Sequence, residues 1–177
     1  MKLPIALTVS AIVCVGAANA QPQPYSGQEA REIKAVSGEQ VQQYLDGAGM
    51  GYAKAAELNH YPGPAHALEL ADKLGLTPEQ IAATRALMTS HRAEAREIGK
   101  RLIETEQALD ALFRDGQADK VELAKAARQA AQVEGEYRLS HLETHRRLRA
   151  LLTAEQVSVY DKLRGYSASS PHSGHSH

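Results

Sequence analysis

This chain is poor in cysteine, aromatic residues and net charge. Cys14 is its sole cysteine, tryptophan is absent, and Phe113 is the single phenylalanine. Cys14 sits in an N-terminal stretch expected to be removed, so disulfides and thiolate metal sites are excluded and helix packing alone must hold the fold. Charge of one sign is also missing: 20 Lys+Arg stand against 21 Asp+Glu. Bulk charge therefore draws the chain neither to nucleic acid nor to anionic lipid. No GxSxG, HExxH, Walker loop or CxxC occurs, and the run Gly47, Gly49, Gly51 lacks the preceding strand of a dinucleotide loop. Carboxylates are spaced as on solvated helix faces, not as an acid–base couple. These absences argue against an enzyme.

Only one stretch is strongly apolar. Lys2 gives a minimal charged start, Leu3 to Val15 is largely apolar, and Ala18-Asn19-Ala20 fits the small-x-small cleavage rule. Residues 1–20 are expected to be a signal peptide cleaved after Ala20. The product would be exported and not stably inserted in a membrane, because the stretch is too short for a confident span. An uncleaved anchor is the alternative.

What remains is rich in Ala, Leu, Glu, Gln and Arg, a composition that favours helix over sheet. Ser26-Gly27-Gln28-Glu29 and Ser37-Gly38-Glu39-Gln40 read as helix starts, so 27–46 is expected to hold one or two short helices. A helix over about 50–59 ends at His60-Tyr61-Pro62-Gly63-Pro64, and another over 65–74 closes at Gly75. Two long helices follow, about 77–113 and 119–151, joined by a turn at Asp115-Gly116-Gln117. A last helix starts at Thr153. The expected fold is all-α, an elongated helical hairpin of four to five helices. Residues 21–64 form an arm with short helices, 65–166 form the hairpin domain, and 167–177 form a disordered tail.

The periodicity also places histidines. His91 and the pair His141/His145 are nearly equidistant from Gln117, so an antiparallel hairpin brings all three to one level. His91 falls on the apolar stripe between Met88 and Ala95. The i, i+4 pair His141/His145 shares a stripe with Leu148 and Leu152. Three converging imidazoles suit a divalent transition ion such as Zn²⁺, Cu²⁺ or Ni²⁺, with Met88, Glu94 or Glu143 as further donors. The alternative is that each is an ordinary hydrogen-bonded histidine at the hairpin edge. His60 and His66 flank a proline turn and read as structural. The tail histidines His172, His175 and His177 form a short tract of the kind that chelates transition metals weakly.

One phrase occurs twice, Leu76-Thr77-Pro78-Glu79-Gln80 and Leu152-Thr153-Ala154-Glu155-Gln156. Physically each copy is a capping box, threonine accepting from first-turn amides and glutamine reaching back to the threonine N–H. The pair resembles the LTxxQ motifs of the Spy/CpxP family, periplasmic all-helical stress proteins, and the resemblance covers about 65–166. It implies a hooked four-helix hairpin that forms a homodimer with a concave face. It also implies one of two roles: ATP-independent holding of unfolded client proteins, or metal sensing through histidine-rich sites between helices. The segment 49–64 is similar to a subgroup associated with heavy-metal resistance. The cleavable N-terminus departs from the membrane-anchored sensors of that family. The combined expectation is a soluble periplasmic metal-binding stress protein, with a holdase chaperone as the alternative.

Overall fold

The structure is a computed structural model and describes residues 23–166. The expected signal segment and the tail, with His172, His175 and His177, lie outside the described residues. Residues 23–30 form short turns, in which the Ser26 amide donates to the Gln23 carbonyl at 3.0 Å. No helix starts at Ser26. Gly27 takes a left-handed φ of 83°, which an α-helix does not accommodate, and the first helix waits for Ser37.

From residue 31 onward the described residues form seven helices and no strand. They are α1 (Gly38–Asp46), α2 (Lys54–Glu57), α3 (Pro64–Glu69), α4 (Ala71–Leu74), α5 (Pro78–Arg114), α6 (Lys120–Leu151) and α7 (Ala154–Arg164). The all-α expectation holds, with more and shorter helices than the four to five expected. The helix expected over 50–59 shrinks to α2 because Met50 (φ 43°) and Gly51 (φ 81°) are left-handed. The one expected over 65–74 breaks at Leu70, whose φ of −100° and ψ of 11° leave the helical well.

Helices α5 and α6 make the antiparallel hairpin. Gly116 (φ 68°) turns the chain, and the Asp119 carboxylate accepts from the amides of Val121 (2.7 Å) and Glu122 (3.1 Å) to start α6. At the opposite end both copies of the repeated phrase form complete capping boxes. They also hold each other. The Gln80 side-chain amide donates to Gln156 Oε1 (2.9 Å) and to the Leu151 carbonyl (2.8 Å). Gln156 returns the arrangement, facing Gln80 Oε1 (2.9 Å) and the Gly75 carbonyl (3.2 Å). Gly75 and Leu151 each lie two residues before their threonine cap, so the clasp is pseudo-symmetric.

Two apolar clusters fill the hairpin. Near the clasp, Ala67, Leu74, Leu76, Leu148, Leu152, Val157 and Tyr160 pack together. Farther toward the turn, Ile33, Tyr44, Ala95, Ile98, Leu102, Ile103, Val133 and Tyr137 form the second. Helix α1 lies so close to α5 that a Cβ at Gly99 would fall 2.2 Å from the Tyr44 carbonyl oxygen. Only glycine allows that backbone contact. The histidines sit between the two clusters.

Candidate functional site

The hairpin register brings His91 of α5 and His141 of α6 into direct contact. His91 Nε2 lies 2.9 Å from His141 Nδ1, and the rings meet edge to face with centroids 4.4 Å apart. His141 is buried at 4 % exposure and His91 is half-buried. Their other nitrogens, His91 Nδ1 and His141 Nε2, are buried without a hydrogen-bond partner among the described residues. Whichever ring donates in the shared bond, one N–H and one lone pair are left over. Such orphaned buried atoms are uncommon in folded proteins and call for a physical account.

His145 lines the same cleft, one turn along α6. Its Nδ1 lies 2.8 Å from the Tyr61 carbonyl oxygen, in the loop between α2 and α3. A carbonyl can only accept, so Nδ1 carries a proton and, in the neutral ring, Nε2 has the lone pair. This backbone-anchored tautomer is the one that metal-binding histidines commonly adopt. Glu57 Oε2 stands 3.6 Å from the same Nδ1. The other Glu57 oxygen accepts from the Tyr160 hydroxyl and lies 3.7 Å from Arg164 Nε. A Cβ on Gly63 would come within 3.1 Å of the His145 ring, so this glycine lets the loop lie flat against it.

Burial holds the pair's imidazoles below the ordinary histidine value, with neighbouring histidines adding to the effect. His141 is lowered to about 4, and His91 is lowered as well. Both are therefore neutral at pH 7, the form that coordinates metals. Aromatic rings back the pair. Tyr137 lies 4.8 Å from His141 by centroids, and Tyr52 stacks at 6.3 Å. Burial pushes the Tyr137 phenol up to about 12, and Tyr52, which donates to Glu134, is also raised. These phenols stay protonated and serve as walls.

The cleft that His91, His141 and His145 line has a volume of about 730 Å³. Met88 and Met50 both line it. Glu94 and Glu143 line a neighbouring groove on the far side of His91. Glu143 is gripped by Arg146 and Arg147, which hold its carboxyl down to about 2. His60 and His66 take carboxylate partners, Asp161 at 2.7 Å and Glu69 at 3.2 Å, as structural histidines do. Among the described residues, no group of three or more His, Cys, Asp or Glu side chains stands in metal-holding geometry. The structure thus places His91 against His141 and gives His145 a separate anchor in the same cleft. Sequence reasoning missed Glu57, Tyr61, Gly63 and Met50. The glycines around Met50 signalled a chain reversal, but nothing in the sequence pointed that reversal at the histidines.

A family model described as LTXXQ motif family protein matches residues 65–164, more than half of the 177-residue chain. No curated protein and no solved structure matches it.

Proposed function

We propose a function from one premise, that the chain belongs to the LTXXQ motif family: it is an exported, non-enzymatic stress protein of the periplasm that binds a transition-metal ion in the histidine cleft. The observation that carries this reading is the pair of neutral imidazoles, His91 and His141, that the hairpin brings together in the cleft with their inner nitrogens in contact. Their 2.9 Å nitrogen separation also fits shared coordination. Two donors at about 2.05 Å from one ion are roughly 2.9 Å apart at a right angle and about 3.3 Å apart at the tetrahedral angle. Rotation of both rings would replace the hydrogen bond by two bonds to metal, through His91 Nε2 and His141 Nδ1, with the ring protons moved to the outer nitrogens. His145 Nε2 would supply a third donor once the α2–α3 loop shifts with it, and the tail histidines would act as a flexible auxiliary.

Calorimetry with Zn²⁺, Cu²⁺ and Ni²⁺ tests the site on the chain carrying His172→Ser, His175→Ser and His177→Ser. One ion should bind per chain, and His91→Ala/His141→Ala should weaken binding by roughly two orders of magnitude. Equal affinity in that variant would reject the core site.

A specific observation supports the holdase alternative. Leu58, Tyr61 and Leu139 are 49, 39 and 63 % exposed, and Tyr61, Leu139 and Leu142 border a shallow apolar groove. Exposed apolar surface of this kind is where an unfolded segment would dock. Suppression of client aggregation that ignores a chelator and is lost in Leu139→Glu would favour it.

A further inference from the structure

The sequence holds three methionines, Met1, Met50 and Met88. Both internal ones line the cleft that holds His91, His141 and His145. Met88 precedes His91 by one turn of α5. Met50 arrives from the loop after α1 and is half-buried against the neighbouring apolar cluster. It reaches that place in a left-handed conformation, φ 43°, which is strained for a non-glycine residue and persists only where the surroundings enforce it.

Hard donors are scarce in the same space. Glu57 already accepts from Tyr160 and faces Arg164 and His145, while Glu94 and Glu143 belong to the neighbouring groove. No cysteine occurs among the described residues. The donors left over are neutral imidazole nitrogens and thioether sulfurs. Thioethers bind hard divalent ions poorly and monovalent copper well, whereas imidazole accepts both.

Charge points the same way. Lys54, Arg92 and Arg164 line the cleft against one carboxylate, Glu57. Neutral ligands cannot offset that excess, so a divalent ion meets twice the repulsion of a monovalent one.

We infer that the cleft is selective for monovalent copper, held by the His91/His141 pair together with the Met88 and Met50 thioethers. This rests on the metal-binding reading above and narrows it to one ion.

The test uses the full chain with the three tail histidines changed to serine. Cu(I) affinity is measured anaerobically by competition with bicinchoninate, Zn²⁺ affinity by calorimetry, and copper–sulfur scattering by X-ray absorption. Methionine-to-leucine changes nearly conserve volume and keep the fold, which circular dichroism verifies. Met50→Leu/Met88→Leu should weaken Cu(I) at least about tenfold, abolish sulfur scattering and leave Zn²⁺ affinity unchanged. Unchanged Cu(I) affinity in that variant, with Zn²⁺ still bound and dependent on His91 and His141, would overturn the copper inference and leave the metal site standing. Binding of neither ion to the parent would overturn both.

Discussion

At the open end of the α5–α6 hairpin, the side-chain amides of Gln80 and Gln156 are fully paired with each other, with their own caps and with carbonyls across the junction. Farther along the same two helices, His141 is buried as deeply as a core residue and His91 is half-buried, yet each keeps a buried nitrogen with no partner among the described residues. The first region spends its polar groups on holding helices together. The second carries polar groups that the fold does not use. Natural sequences depart from full satisfaction mainly where function demands it, so the contrast separates the structural motif from the candidate site.

Three measurements would break or sharpen that contrast. The largest effect is expected at the clasp. Gln80→Ala/Gln156→Ala removes the glutamine half of two capping boxes and their cross-junction bonds, leaving the threonine caps in place, and should cost about 3 kcal/mol in denaturant unfolding. The two single variants should sum to about 1 kcal/mol more than the double, because each already breaks the shared amide pair. Simple additivity would show that the clasp is two independent caps.

A comparable effect is expected from acid. An unfolded histidine takes a proton near pH 6.5, whereas the folded His141 does so only near 4. Between those values the unfolded chain binds more protons, so stability is complete above about pH 6.5 and falls as pH drops. Relative to the His91→Leu/His141→Leu variant, the metal-free parent should lose about 3 kcal/mol across this window. Parallel stability profiles for the two proteins would refute the buried neutral pair.

The smallest effect has the opposite sign. At pH 7 without metal, the same double leucine variant should be more stable than the parent by about 1 kcal/mol, since it removes two unsatisfied buried nitrogens at similar volume. A destabilised variant would mean that the imidazoles are ordinary core hydrogen-bonders, and the contrast between the two regions would dissolve.

The parts legible in the sequence were those set by local rules. Thr77, Thr153, Ser37 and Asp119 announced helix starts through side chains that act within three residues. Given those starts and the turn at Gly116, the contact between His91 and His141 followed from counting residues along two rods. Rotation and long-range closure were not legible. Glu94 and Glu143 lie close to the histidines in sequence but face another groove, because a helix turns a side chain away within one or two positions. Tyr61, Gly63 and Glu57 come from a segment whose path depends on His60 taking a left-handed φ of 68° and on the pairing of His60 with Asp161, about a hundred residues on. The Ser26 signal failed for a local reason, because the left-handed Gly27 cancelled the cap. The reciprocal pairing of Gln80 with Gln156 was unreadable as well, since each box is complete without the other.

The two orphaned imidazole nitrogens carry a thermodynamic consequence for whatever enters the cleft. At a surface histidine, an arriving ion must first displace hydration from the ring and then hold a mobile side chain still. Here part of both steps was completed when the helices packed, with Tyr137 lying against the His141 ring. The guest therefore meets a host partly prepared in advance, and that share of the penalty falls on the folding equilibrium instead of on association.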